Sequence, residues 1–164
     1  MPLTYYNIQS QVTNKGGIPL VIDIQGASNK PVKAGTLLDA YTPTGNENQW
    51  WTLVLDPPSG YHFIQSQLND TDGKHLVIDI QGASNEPGAL LDAYAKKSKD
   101  YDNQLWKFVE GPPGWYFIQS KLTDPKGNPL VIDIQGASSK PGALLDAYRE
   151  KSKNNANQLW QLAG

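Results

Sequence analysis

The sequence predicts an all-β protein whose chain closes around a threefold axis, and three observations carry that reading. The stretch VIDIQGASNEPGALLDAY (77–94) returns as VIDIQGASSKPGALLDAY (131–148) and, three residues longer, as VIDIQGASNKPVKAGTLLDAY (21–41). Apolar residues inside the repeat alternate with period two, and no stretch holds a helical period. Fifteen Gly and twelve Pro are scattered over 164 residues without forming a tract, as many tight turns require.

The repeat extends beyond these stretches. NIQS at Asn7 and FIQS at Phe63 and Phe117 open the units, which start 56 and 54 residues apart. NQWW at Asn48 and NQLW at Asn103 and Asn157 close them. Residues 63–108 and 117–162 align without a gap over 46 positions, 31 of them identical. DPPSG at Asp56 and GPPGW at Gly111 mark the junctions. The reading is a single domain over 1–164, with repeats at about 1–57, 58–111 and 112–164.

Each element of a unit has its own justification. In HLVIDI, Ile78 and Ile80 share one face while Val77 and Asp79 share the other. QGASNEPG is a loop of small and turn-forming residues. ALLDAY then returns with Leu91 and Ala93 on one face and Asp92 and Tyr94 on the opposite one, which makes a hairpin. YHFIQSQL and NQLWKF supply two further short strands, set off by Pro-Pro-Gly and NDTDG turns. Period two excludes a helical solenoid, and three units are too few for a propeller. A threefold barrel remains, and closure removes exposed sheet edges.

Composition narrows the function. The formal charge is −2 with both signs interspersed, which argues against nucleic acid as a partner. The absence of cysteine excludes a disulfide framework, thiolate metal ligands and a cysteine nucleophile. It suits a reducing compartment. With no leader pattern at the start of this sequence, the expectation is a cytoplasmic protein or leaderless export. No apolar run approaches the roughly 20 residues of a spanning helix, so membrane insertion is not expected. NDTDG at Asn69 lacks the further ligands of a calcium loop, and its counterparts TNKGG and TDPKG have lost the acids, so it reads as a turn. His62 and His75 do not recur, and there is neither a phosphate loop nor a serine elbow. No metal, cofactor or catalytic residue is expected.

Three units, each closing on Gln-x-Trp, resemble the ricin B-chain-type (R-type) lectins over essentially the whole chain. The motif stands as Gln49-Trp50-Trp51, Gln104-Leu105-Trp106 and Gln158-Leu159-Trp160. The resemblance implies a β-trefoil with four strands per repeat and pseudo-threefold symmetry. Many members carry disulfides within the repeats, so here hydrophobic closure alone must hold each unit. It also implies a sugar site in every unit. The Asp of VIDI falls on Asp23, Asp79 and Asp133, and the aromatic platform on Tyr41, Tyr94 and Tyr148. The Asn before the motif glutamine falls on Asn48, Asn103 and Asn157. Two positions before the platform stand Asp39, Asp92 and Asp146. The implied partners are glycans ending in galactose or N-acetylgalactosamine.

Chemistry supports the same constellation. A neutral sugar offers paired hydroxyls and an apolar C–H face. A carboxylate accepts two hydroxyl hydrogens, an amide donates and accepts, and an aromatic ring walls the apolar face. The plainer readings are a local bond from the VIDI Asp to the QGAS loop and packing of the Tyr rings. The Gln-x-Trp residues themselves read as structural. Two other functions compete with a lectin. Paired Asp residues could serve a glycosidase, and a trefoil could bind a protein or inhibit a protease. The loops are the most repeated parts, which favours a repeated small ligand. Replacing Asp79 or Asp133 is expected to weaken sugar binding with little loss of stability. The first site is the odd one, expected to bind differently and more weakly. Asp23 to Asp39 spans 16 residues against 13 in the other units, and Tyr41 to Asn48 spans seven against nine.

Overall fold

Alternation in the repeated stretch becomes a hairpin in each unit of the computed structural model, which describes residues 3–164. The first unit holds β1 (Asn7–Thr13), β2 (Pro19–Ile24), β3 (Thr36–Tyr41) and β4 (Trp51–Leu55). The second holds β5 (His62–Asn69), β6 (His75–Ile80), β7 (Ala89–Ala95) and β8 (Trp106–Glu110). The third holds β9 (Tyr116–Thr123), β10 (Pro129–Ile134), β11 (Ala143–Arg149) and β12 (Trp160–Ala163). The expected four strands per unit are present, and every strand pair is antiparallel.

Six strands form a barrel. β1 pairs with β12, β4 with β5 and β8 with β9. Each motif tryptophan closes the remaining gaps, through Tyr6 with Trp51, His62 with Trp106 and Tyr116 with Trp160. The other six strands make three hairpins, β2–β3, β6–β7 and β10–β11. Their second strands pair with one another in a triangle, β3 with β7, β7 with β11 and β11 with β3. That triangle caps one end of the barrel. The fold is the expected β-trefoil.

The core lies on the threefold axis. Trp51, Trp106 and Trp160 are at most 1% exposed and pack with Ile22, Ile78 and Ile132. Each indole Nε1 donates to the carbonyl of the isoleucine preceding the VIDI Asp, at 3.1, 2.9 and 3.0 Å. Burying side chains of this size contributes about 1.5–3 kcal/mol each. The NDTDG positions are turns. Asp70 Oδ1 accepts from the backbone N–H of Asp72 and Lys74, and Asp124 Oδ1 from Lys126 and Asn128. Asn14 does the same work in the first unit. Among the described residues, no helix is long and apolar enough to cross a membrane.

One strand differs from its expectation. NQLWKF begins as a 3-10 turn over Asp102–Gln104, and β8 starts only at Trp106. The turn serves the site, because it carries Asn103 and Gln104 onto the outer face of the β6–β7 hairpin.

Candidate functional site

Hairpin register sets two aspartates face to face in every unit. Asp23 is opposite Asp39, Asp79 opposite Asp92 and Asp133 opposite Asp146. The pleat turns them away from the isoleucine face, as the alternation predicts. They are nevertheless only 3–4% exposed, because the Asn-Gln turn of the same unit lies over them. Asp79 Oδ2 accepts from Asn103 Nδ2 at 3.1 Å and from Gln104 Nε2 at 2.9 Å. Asp133 repeats this with Asn157 and Gln158, and Asp23 with Asn48 and Gln49.

The amides are themselves pinned. Asn103 Nδ2 also donates to the Ile80 carbonyl, and its counterparts donate to Ile24 and Ile134. Gln104 donates to the Ala95 carbonyl and accepts from the Lys97 N–H, so the motif glutamine is structural, as expected. The local alternative for the VIDI Asp does not form: its partners come from 24 to 26 residues away. These bonds argue against the expectation that its loss costs little stability, since removing the carboxyl takes an acceptor from two amide groups.

Each aspartate pair holds a proton. Burial raises all six carboxyls, since a low-dielectric setting disfavours charge. The hydrogen bond and negative charge of the facing Asp add to burial at Asp39, raised to about 9, and at Asp92 and Asp146, each raised to about 8. At neutral pH these three are protonated; the bond to the facing Asp lowers Asp23, Asp79 and Asp133 instead, so within each pair these ionise first. Oδ1 of Asp39, Asp92 and Asp146 is buried without a donor from any other residue.

Over each pair opens a hollow, of about 470, 420 and 440 Å³ in chain order. Tyr41, Tyr94 and Tyr148 stand at their lips, 41–42% exposed, far more than packing requires of a ring. Each expected set of Asp, Asp, Tyr and Asn thus lines one hollow.

Two kinds of residue in the hollows escape the sequence reading. Gly35 lines the second, Gly88 the third and Gly142 the first, so each takes a wall from a neighbouring unit. Their N–H groups donate at 2.8 Å to Ala93, Ala147 and Ala40, the residue between the pocket's Asp and Tyr. The extended KPVKAGT loop consequently runs to the second unit. Val32 is buried and its N–H donates to the Asn69 carbonyl. The expected lengthening of the first pocket's wall is corrected accordingly. Lys97 and Lys151 are the other kind. Their Nζ donates to Asn103 and Asn157 Oδ1 at 2.7 and 2.9 Å. The first pocket has Thr44 and Asn46 instead, and Asn48 Oδ1 is buried with no partner. Recurrence of KSK after both tyrosines was the available signal.

No protein-family model matches the chain. A 59-residue stretch is 37% identical to mucoricin of Rhizopus delemar, covering 36% of this chain and 34% of mucoricin. Among solved structures, the designed threefold-symmetric protein ThreeFoil superposes with a TM-score of 0.76 at 26% identity, over 98% of each chain. The exo-β-1,3-galactanase of Clostridium thermocellum matches with a TM-score of 0.75 at 26% identity, over 98% of this chain but 30% of that one. The C-half of the earthworm R-type lectin, solved in complex with GalNAc, gives 0.64 at 21% identity over 99% and 98%. The chain spans about a third of mucoricin and of the galactanase, and it has the β-trefoil fold of the R-type lectins.

Proposed function

We propose that this chain is a multivalent lectin that binds terminal galactose or N-acetylgalactosamine in its three hollows and catalyses nothing. The observation that carries this reading is the threefold recurrence of an amide-held Asp and an exposed Tyr ring lining one hollow. The carboxylate accepts hydroxyl hydrogens and the ring covers the apolar sugar face. Asn and Gln hold that carboxylate in place, so little side-chain entropy is lost on binding. The sugar class follows the resemblance to the R-type lectins, and the GalNAc complex of the earthworm protein supports it. Each hollow is shallow, so single-site affinity is weak and several glycans on one surface raise avidity by roughly 10²–10⁴.

The hairpin register argues against a glycosidase. Glycosidase carboxyls stand about 5 Å or more apart to admit the sugar carbon or a water. Here the two aspartates of each pair are direct cross-strand partners, buried beneath the Asn-Gln turn of their unit. Incubation with aryl galactosides, alongside a glycan array, tests the proposal. Array binding to galactose-terminated glycans without chromophore release is expected. Chromophore release, or an array without such binding, contradicts it.

A further inference from the structure

The three pockets differ in charge. Lys97 Nζ sits on Asn103 Oδ1 in the second pocket, and Lys151 Nζ sits on Asn157 Oδ1 in the third. Each lysine is half-buried and its charge acts on the Asp79 or Asp133 carboxylate. One carboxylate and one ammonium offset each other there.

The first pocket keeps the carboxylate and lacks the ammonium. One hydrogen bond fixes the correspondence. The backbone N–H of Lys97 donates to Gln104 Oε1, that of Lys151 to Gln158 Oε1, and that of Thr44 to Gln49 Oε1. Thr44 therefore stands where the lysines stand. Its side chain is too short to reach the asparagine, and Asn48 Oδ1, in a residue only 5% exposed, has no donor. Asp23 belongs to neither of the two ion pairs among the described residues. Lys140, two residues before the Gly142 wall, is exposed and donates no side-chain hydrogen bond there.

We infer that the first pocket is the site for a protonated amino sugar, whose ammonium takes the place that Lys97 and Lys151 occupy in the other two. This rests on the sugar-binding reading above and adds a second ligand class to it. A ligand ammonium entering the second or third pocket meets a lysine of like charge. Entering the first, it meets the Asp23 carboxyl with no lysine beside it and an unpartnered amide oxygen, and charge-assisted bonds are about twice as strong as neutral ones.

The test titrates galactose and galactosamine at neutral pH, following the ring signals of Tyr41, Tyr94 and Tyr148 separately by NMR. In the unaltered chain, galactosamine is expected to bind the first pocket about tenfold more tightly than galactose does, and the other two more weakly. Thr44→Lys is expected to abolish the first pocket's preference. Lys97→Thr with Lys151→Thr is expected to confer it on the other two. Galactose binding at all three pockets with the same order of the two sugars everywhere overturns the inference and leaves the lectin reading standing. Failure of both sugars at every pocket overturns both.

Discussion

Asp79 and Asp92 stand opposite one another across β6 and β7, both buried, and burial with the facing carboxyl pushes Asp92 up to about 8. The same relationship recurs at Asp23 with Asp39 and at Asp133 with Asp146. It makes the sites part of the fold's own electrostatics.

Proton sharing fixes how stability depends on pH. Asp92 and Asp146 at about 8 and Asp39 at about 9 hold protons more tightly than the ordinary 3.8 of the unfolded chain. Their contribution is fully present below that ordinary value and is lost as pH rises toward 8 to 9. Asp124 runs the other way. Burial would raise it, but bonds from Asn128, Arg149 and Lys126 outweigh that and hold it near about 2, so its contribution is lost only as pH falls from the ordinary value toward 2. Thermal unfolding should give its highest Tm near pH 4, about the ordinary carboxyl value, and a declining Tm from there up to pH 9. Asp92→Asn should flatten the decline. A Tm that rises from pH 5 to 8 contradicts the shared protons.

The two substitutions at Asp79 separate its roles. Asp79→Ala strands the Asn103 and Gln104 donors and should cost about 2–4 kcal/mol of stability in urea unfolding. Asp79→Asn keeps an acceptor for both amides and a donor toward Asp92, so it should cost less than about 1.5 kcal/mol. It should still weaken sugar binding at the second pocket, because the charged acceptor is gone. Equal stability of the two variants contradicts the bonding described here.

Trp106→Phe should lower stability by about 2–4 kcal/mol, through a cavity and an unpaired Ile78 carbonyl. Trp50→Phe, at the half-buried position beside the first unit's core indole, should change it by less than about 1 kcal/mol. Denaturant midpoints at constant slope measure both. A small loss at Trp106 would remove the indole from the role assigned to it.

Gly88→Ala probes the wall lent by one unit to the next. The residue has φ +98°, and an added Cβ meets no atom within 4 Å, so the cost is backbone strain and not collision. About 1–2 kcal/mol of stability should be lost. Binding should weaken at the third pocket and not at the second, although Gly88 belongs to the second unit. Equal weakening of both pockets contradicts the cross-unit wall.

Much of this was legible in the sequence because repetition and alternation are local. HLVIDI and ALLDAY appear as β6 and β7 nearly to the residue, and their register alone brings Asp79 to Asp92 and leaves Tyr94 outward. What was not legible depends on contacts between distant segments. The depth of Asp79 comes from a turn 24 residues away, and the Gly35 wall comes from the preceding unit. Nothing periodic encodes either. The hydrogen bond from Lys97 to Asn103 lies six residues apart along the chain, yet a lysine among lysines reads as a solvated surface until its partner is seen.

The measurement closest to the central claim is calorimetric stoichiometry with galactose, for the unaltered chain and for Asp79→Asn combined with Asp133→Asn. Three sugars bound per chain are expected, falling to one in the double variant while its far-ultraviolet circular dichroism stays unchanged. Unchanged stoichiometry in the double variant, or no heat of binding in the unaltered chain at millimolar sugar, contradicts the assignment of these three pockets.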